Sequence, residues 1–97
     1  MIEIKNLKKI TVNDVKKGNI YLISNDPEIK LNKHEVNFHV ISKCIIDFNN
    51  GDYLFKDILY VNKGDEELID RWSINKGEHL LYEIYEIKKD DYPEFFI

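Results

Sequence analysis

The side chains of this sequence that are best suited to metal binding or nucleophilic catalysis are three histidines and one cysteine: His34, His39, His79 and Cys44. His34 and His39 are five positions apart, and an odd offset places two residues on opposite faces of a strand. Cys44 is a further five positions along and is therefore on the face opposite His39. A structural zinc site needs four ligands, and a cysteine nucleophile needs an activating base beside it. The spacing assembles neither. We therefore predict no catalytic residues, no metal and no cofactor, with Cys44 in the core.

Carboxylates are abundant, with 18 Asp and Glu against 14 Lys and Arg and a net charge of −4. At this abundance some carboxylates are neighbours by chance, so such pairs do not indicate acid–base catalysis. The four glycines stand singly, which excludes a glycine-rich phosphate loop. A net negative chain is repelled by a phosphate backbone, and we expect no direct binding of nucleic acid.

The excess negative charge lies in the C-terminal third, where carboxylates alternate with aromatic rings. The candidate partner-binding residues there are Glu83, Glu86, Asp90, Asp91, Tyr92, Glu94 and Phe95. On a strand, Glu83 and Glu86 project from opposite faces, so the cluster forms mainly in the residues that follow. Carboxylates attract a basic partner, and aromatic rings supply the desolvated contact. The alternative is that Phe95, Phe96 and Ile97 fold back to close the end of the barrel.

The clearest strand pattern runs from Val36 to Phe48, where apolar residues alternate with polar ones. Asn50-Gly51 follows, and Asn-Gly between alternating hydrophobics is a strong hairpin signal. A two-residue turn there predicts that Phe48 pairs with Tyr53, Ile46 with Phe55 and Cys44 with Asp57. Because Asp57 would then face the core, we also predict a bulge or strand end near it.

The rest of the chain reads as short segments between turns. We predict strands at Ile2–Lys5, at Asn19–Ser24, around Trp72 and Ile74, and across Glu78–Lys89. We also predict a helical turn within Thr11–Lys17 that ends at Gly18, and a hairpin turn at Asn75–Gly77. Residues 78–89 also fit a helical face through Leu80, Leu81, Ile84 and Ile87, but their tyrosine and isoleucine content favours a strand.

Five or six strands with at most one short helix define a mainly β protein. We expect a single domain over residues 1–97, built as a small antiparallel SH3-like barrel or bent sheet. The alternative is an α+β fold in which a C-terminal helix packs on an antiparallel sheet.

The composition also bears on location and origin. No apolar stretch is long enough to span a bilayer, and the N-terminus lacks the features of a signal peptide. With one cysteine that has no internal partner, these features predict a cytoplasmic protein without membrane contact. The absence of alanine and glutamine, with Arg71 as the only arginine, is typical of an AT-rich genome such as that of a bacterium, a phage or another mobile element.

One segment has a family resemblance. Residues Val15–Pro27 (VKKGNIYLISNDP) resemble the opening of the MazF/PemK toxins, in which a basic residue precedes Gly-Asp-Ile-Tyr and, a few residues later, Asp-Pro. Val40-Ile41-Ser42 resembles the valine-rich strand that follows. The resemblance covers about a quarter of the chain and implies an SH3-like barrel that cleaves single-stranded RNA as a homodimer. The Arg-Pro pair of that family is replaced here by Asn37-Phe38, so its catalytic residues do not carry over.

Three functional hypotheses follow. The first is an acidic protein-binding module, an inhibitor or accessory factor that covers the nucleic-acid-binding surface of a partner protein. The second is a MazF/PemK-like fold with degenerate catalytic residues. The third is a sponge or sensor that holds a small nucleotide between aromatic rings. The absence of a catalytic constellation favours the first, which is not an enzyme.

Overall fold

The computed structural model describes residues 6–25, 39–60 and 68–96. Its strands are β1 (Lys8–Ile10), β2 (Ile20–Asn25), β3 (His39–Asp47), β4 (Tyr53–Tyr60), β5 (Trp72–Ile74) and β6 (Tyr82–Ile87), and short 3-10 helices span Val12–Asp14, Lys76–Leu81 and Pro93–Phe95. The described residues contain no α-helix. The predicted mainly β class is therefore confirmed. The predicted strand at Ile2–Lys5 lies outside the described residues.

The six strands form one antiparallel sheet in the order β1-β6-β2-β3-β4-β5. β6 is the last strand in sequence, yet it lies between β1 and β2 and pairs with both. Hydrogen bonding on two sides fixes residues 82–87 as a strand. The strand predicted across Glu78–Lys89 is therefore confirmed for Tyr82–Ile87 and wrong for residues 78–81, which belong to the 3-10 helix Lys76–Leu81. Within the described part of the chain, β1 and β5 are the edges of the sheet.

The predicted helical turn after β1 is present but shorter than expected. Thr11 precedes the 3-10 helix, and Asp14 Oδ2 accepts bonds from the Thr11 backbone N–H at 3.3 Å and from Thr11 Oγ1 at 3.2 Å. The first of these bonds satisfies a backbone N–H that a helix start leaves without a partner. Gly18 does not end this helix; it adopts a φ of 89° in the turn that leads into β2.

The predicted register of the central hairpin is wrong. Asp47 pairs with Tyr53, Ile46 with Leu54 and Cys44 with Phe55, and a register shift separates Cys44 from Ile46. The Phe48 N–H donates to the Asp52 carbonyl at 3.2 Å, so the loop is longer than two residues. Within it Asn49 and Gly51 have positive φ angles, 61° and 96°. Phe48 is consequently 50% exposed and does not join the core.

The predicted irregularity near Asp57 is present as a second register shift, between Ile41 and Ser42. Asp57 is only 6% exposed, and its carboxylate is fully used. It accepts bonds from Ser42 Oγ at 2.7 Å, Trp72 Nε1 at 2.6 Å and the Ile69 N–H at 3.0 Å. A buried carboxylate is tolerated when its oxygens are hydrogen-bonded in this way.

The predicted hairpin turn at Asn75–Gly77 is also wrong. Asn75 instead precedes the 3-10 helix Lys76–Leu81, and its N–H donates to Glu78 Oε1 at 3.1 Å. This helix joins β5 at one edge of the sheet to β6 near the other. It packs on the β3–β4 loop, since the Lys76 N–H donates to Asp52 Oδ1 at 2.8 Å and His79 Nε2 lies 2.6 Å from the Gly51 carbonyl.

Each face of the sheet carries a hydrophobic core. The larger core consists of Val12, Val15, Tyr21, Ile23, Val40, Cys44, Tyr53, Phe55, Ile74 and Ile84. The smaller core, on what we call the second face, is built on Ile20, Leu22, Ile41 and Ile87. Adjacent residues of β2 alternate between the two cores, as expected for a strand covered on both sides.

Candidate partner-binding surface

The candidate surface is built on residues 88–96, which we call the tail. After β6 the chain turns back, with the N–H groups of Asp91 and Tyr92 bonded to the Lys88 carbonyl at 3.1 and 3.0 Å. Pro93 then occupies the start of a short 3-10 helix, where its fixed φ is favourable and its missing N–H costs nothing. Local sequence therefore accounts for the change of direction.

Aromatic side chains hold the tail against the second face. Tyr92, Phe95 and Phe96 are half-buried and pack on the smaller core, and the Tyr92 and Phe95 ring centroids lie 6.1 Å apart. Phe95 and Phe96 thus fold back, as the alternative expected, but onto the core of one sheet face and not across the end of a barrel, and Ile97 lies outside the described residues. Tyr92 and Phe95, both candidate contact residues, also have a structural role.

The tail carboxylates differ from most of the other carboxylates that the structure describes. The side chains of Asp90, Asp91 and Glu94 are exposed and make no hydrogen bond or ion pair with the described residues. By contrast, several carboxylates elsewhere bond to the chain itself: Asp14, Asp47, Asp52, Asp57, Glu78 and Glu83. The tail carboxylates are therefore available to a partner at no cost in intramolecular contacts.

The two β6 candidates are placed differently from each other. Glu83 Oε1 lies 3.6 Å from Lys9 Nζ, and its Oε2 accepts a 2.6 Å bond from the Tyr85 hydroxyl, so its charge is balanced within the fold. Glu86 is paired in register with Lys8 on one side and Tyr21 on the other. The strand alternation places the two glutamates on opposite faces, as expected.

An open groove brings two of the candidate residues together. It has a volume of about 440 Å³ and runs between the tail and the start of β2. Its lining includes Glu86, Asp90 and the Phe96 ring, together with Lys88 and Lys89. Glu86 lies two residues after Ile84 of the larger core, so strand alternation places its side chain on the face opposite the tail, and Asp90 is the candidate carboxylate on the side of Phe96. A carboxylate beside an aromatic ring suits a cationic side chain, which would share this groove with Lys88 and Lys89.

The histidines and the cysteine form no reactive site in the described part of the chain. Cys44 is completely buried, as predicted, and desolvation raises the pKa of its thiol to about 11. A thiol with that pKa is protonated near neutral pH and is not a nucleophile. No group of three or more potential metal ligands occurs among the described residues, and His34 lies outside them.

Burial also raises the pKa of three phenols: Tyr21, Tyr53 and Tyr82. For Tyr21 a hydrogen bond from the Lys16 N–H at 2.8 Å opposes this effect without overcoming it. These tyrosines belong to the larger core or pack against it. They are therefore framework residues and not part of the candidate surface.

One feature of the second face was missed by sequence reasoning. Lys43 and Lys56 are directly opposite each other on β3 and β4. The register predicted from a two-residue turn does not pair them, and both the longer loop and the bulge between Cys44 and Ile46 are needed to bring them into line. No residue pattern in the sequence signals that bulge.

Comparisons of the chain with protein-family models, with curated proteins and with solved structures find no match. The described residues also contain no helix that is long and apolar enough to cross a membrane.

Proposed function

We propose that this chain is a protein-binding module whose tail carboxylates meet a basic surface of a partner protein. The observation that supports this most is the contrast among the described carboxylates: those of Asp90, Asp91 and Glu94 are exposed and unpaired with described residues, whereas most of the other described ones bond to the chain itself. In a bacterium, phage or mobile element, such a module would act as an inhibitor or accessory factor that covers a nucleic-acid-binding surface.

Preorganisation of the tail supports the same proposal. A short acidic segment usually loses conformational entropy on binding, which weakens the complex. Here the packing of Tyr92, Phe95 and Phe96 on the sheet has already restricted the tail. The carboxylates can therefore take the place of phosphates on a basic surface without a large ordering cost. The exposed parts of the half-buried rings would add apolar contact next to the charges.

The groove beside the tail gives the proposal a specific contact. An arginine of the partner that enters it would reach the carboxylate of Asp90 and the side chain of Phe96. Arginine is favoured over lysine here, because its planar guanidinium can bond two carboxylate oxygens and stack on a ring at once. A single buried arginine of this kind is typical of an interface hot spot.

The test begins with capture of proteins from a lysate of the native organism, followed by purification of the partner. We expect a protein with a basic surface, and a dissociation constant that rises about 10-fold or more for the triple variant Asp90→Asn, Asp91→Asn, Glu94→Gln. Asp70→Asn, at an exposed carboxylate outside the tail, is the matched control. A partner that binds the triple variant as tightly as the wild type would rule out the tail surface.

The MazF/PemK-like alternative is tested with the same purified protein. Our proposal expects single-stranded RNA to remain intact after incubation with the chain. Cleavage at defined sites would favour a ribonuclease instead.

A further inference from the structure

The second face of the sheet has a covered half and an uncovered half. One row across four strands contains Ile87, Ile20, Lys43 and Lys56, in that order. The tail rings pack on the core that contains Ile87 and Ile20, whereas both lysines are exposed. The tail thus forms a ridge along one side of this face, and the β3–β4 side lies lower beside it.

The lysine pair is unfavourable in an isolated chain. Like charges directly opposite each other on neighbouring strands repel and destabilise the sheet. Neither Lys43 nor Lys56 forms an ion pair with any described residue. An anionic group that lay between the two ammonium groups would relieve this repulsion.

Apolar side chains lie next to the lysines at the hairpin end. Ile46 and Phe48 are 37% and 50% exposed, and Leu54 is half-buried opposite Ile46. We call Lys43, Ile46, Phe48, Leu54 and Lys56 the hairpin patch. Exposed apolar side chains grouped beside charges are typical of a surface that another protein covers.

We propose that the hairpin patch binds the tail of a second copy of this chain. The tail provides what the patch lacks, namely exposed carboxylates at Asp90, Asp91 and Glu94 and half-buried aromatic rings. In such a dimer the two-fold axis lies in the interface and runs along the strands. The tail of each copy then packs on the hairpin patch of the other copy. Both contacts then form twice, as a closed two-fold dimer requires.

Complementarity of shape and charge favours a second copy over other anionic partners. The net charge of −4 is repelled at long range by a nucleic acid, an anionic membrane and a second copy alike. Only the second copy is known to present carboxylates beside half-buried aromatic rings, which match both the lysines and the apolar side chains of the patch. The dimer goes beyond the proposed function, because the hairpin patch has no part in that function. The two share the tail, with its carboxylates and its rings, so dimer and partner complex should compete.

Sedimentation equilibrium of the full chain tests the dimer directly. We expect a monomer–dimer equilibrium that weakens as salt is added, since the contacts are charged. The double variant Lys43→Glu, Lys56→Glu should raise the dimer dissociation constant about 10-fold or more. The control, Lys16→Glu with Lys17→Glu, makes the same change in net charge at exposed lysines outside the patch. Its dimer dissociation constant should therefore stay well below that of the patch variant.

A charge exchange makes the test decisive. The variant Asp90→Lys, Asp91→Lys, Glu94→Lys should also be monomeric, but its mixture with Lys43→Glu, Lys56→Glu should form a one-to-one heterodimer, because each opposed pair of surfaces then carries opposite charges. A wild-type chain that remains monomeric at its highest soluble concentration would overturn the proposal. A charge-exchanged mixture that does not associate would also overturn it. So would binding of anionic vesicles or RNA through Lys43 and Lys56 by a chain that forms no dimer.

The outcome is distinguishable from a failure of the proposed function. If the dimer is correct, the monomeric Lys43→Glu, Lys56→Glu variant retains the tail and should bind the basic partner at least as tightly as the wild type. Loss of partner binding in that variant would instead place the lysines in the partner interface and contradict the assignment of the hairpin patch to a second copy.

Discussion

Trp72 Nε1 donates a 2.6 Å hydrogen bond to the buried carboxylate of Asp57, which links β5 to the neighbouring β4. The same carboxylate oxygen accepts the Ser42 hydroxyl from β3, and the other oxygen accepts the Ile69 N–H. One side chain therefore joins three strands and the segment that leads into β5. The stacked Phe55 and Trp72 rings, with centroids 5.1 Å apart, complete this contact.

Removal of this carboxylate should destabilise the fold strongly. Asp57→Ala leaves the Ser42 hydroxyl, the Trp72 indole N–H and the Ile69 N–H without their acceptor, and we expect a loss of about 3 kcal/mol or more in the free energy of unfolding. Urea denaturation followed by tryptophan fluorescence measures it. Asp70→Ala, at an exposed carboxylate, should change stability by less than about 0.5 kcal/mol. Equal effects of the two variants would disprove the structural role.

The β3–β4 loop should be sensitive to a side chain at Gly51. Its φ is 96°, and an added Cβ would lie 3.1 Å from Lys76 Cγ. A β-branched residue resists positive φ, so Gly51→Val should cost about 1 kcal/mol or more. Gly77→Val is the control, because a Cβ at Gly77 meets no atom within 4 Å. If the two variants melt at the same temperature, the loop conformation is incorrect.

The pKa of the Cys44 thiol should be visible in both reactivity and stability. Burial raises the pKa from 9.0 to about 11, so the folded protein should react slowly with a thiol reagent at pH 8 and rapidly once urea unfolds it. Because the pKa is higher in the folded state, the thiol's contribution to stability is complete below pH 9 and is lost as pH rises towards 11. Cys44→Ala should lack this loss; an identical alkaline profile would show that other groups cause it.

The tail should contribute to stability through its rings and not through its charges. Phe95→Ala removes part of the packing on the smaller core and should cost about 1 to 2 kcal/mol, and truncation after Lys89 should cost more. Glu94→Gln replaces the exposed carboxylate next to Phe95 with an amide of similar size and should leave the melting temperature unchanged. Thermal unfolding of the three proteins decides the matter. A truncated chain as stable as the full one would mean that the tail is not packed.

How far the sequence predicts this structure depends on the range of the interactions. The strand containing Tyr21 and the burial of Cys44 follow from local alternation and are confirmed. The hairpin register could not be predicted, because the longer loop is in contact with the distant 3-10 helix that begins at Lys76, and no local pattern marks the bulge near Ile46. The pairing of β6 with β1 and β2 is equally non-local.

The same reasoning applies to the candidate surface. The acidic and aromatic character of the tail is visible in the sequence. The pairing of Glu83 with Lys9 is visible only after β1 and β6 are known to be neighbours. Nothing in the sequence distinguishes Lys43 and Lys56 from the other lysines, and only the strand register shows that they are opposite each other.

The most direct test of the central claim measures the kinetics of binding to the purified partner at several salt concentrations. If the tail carboxylates meet a basic surface, the triple variant Asp90→Asn, Asp91→Asn, Glu94→Gln should associate about 10-fold more slowly and lose most of its salt dependence, with a smaller change in the dissociation rate. Its melting temperature should match the wild type. An association rate and a salt dependence equal to those of the wild type would contradict the account.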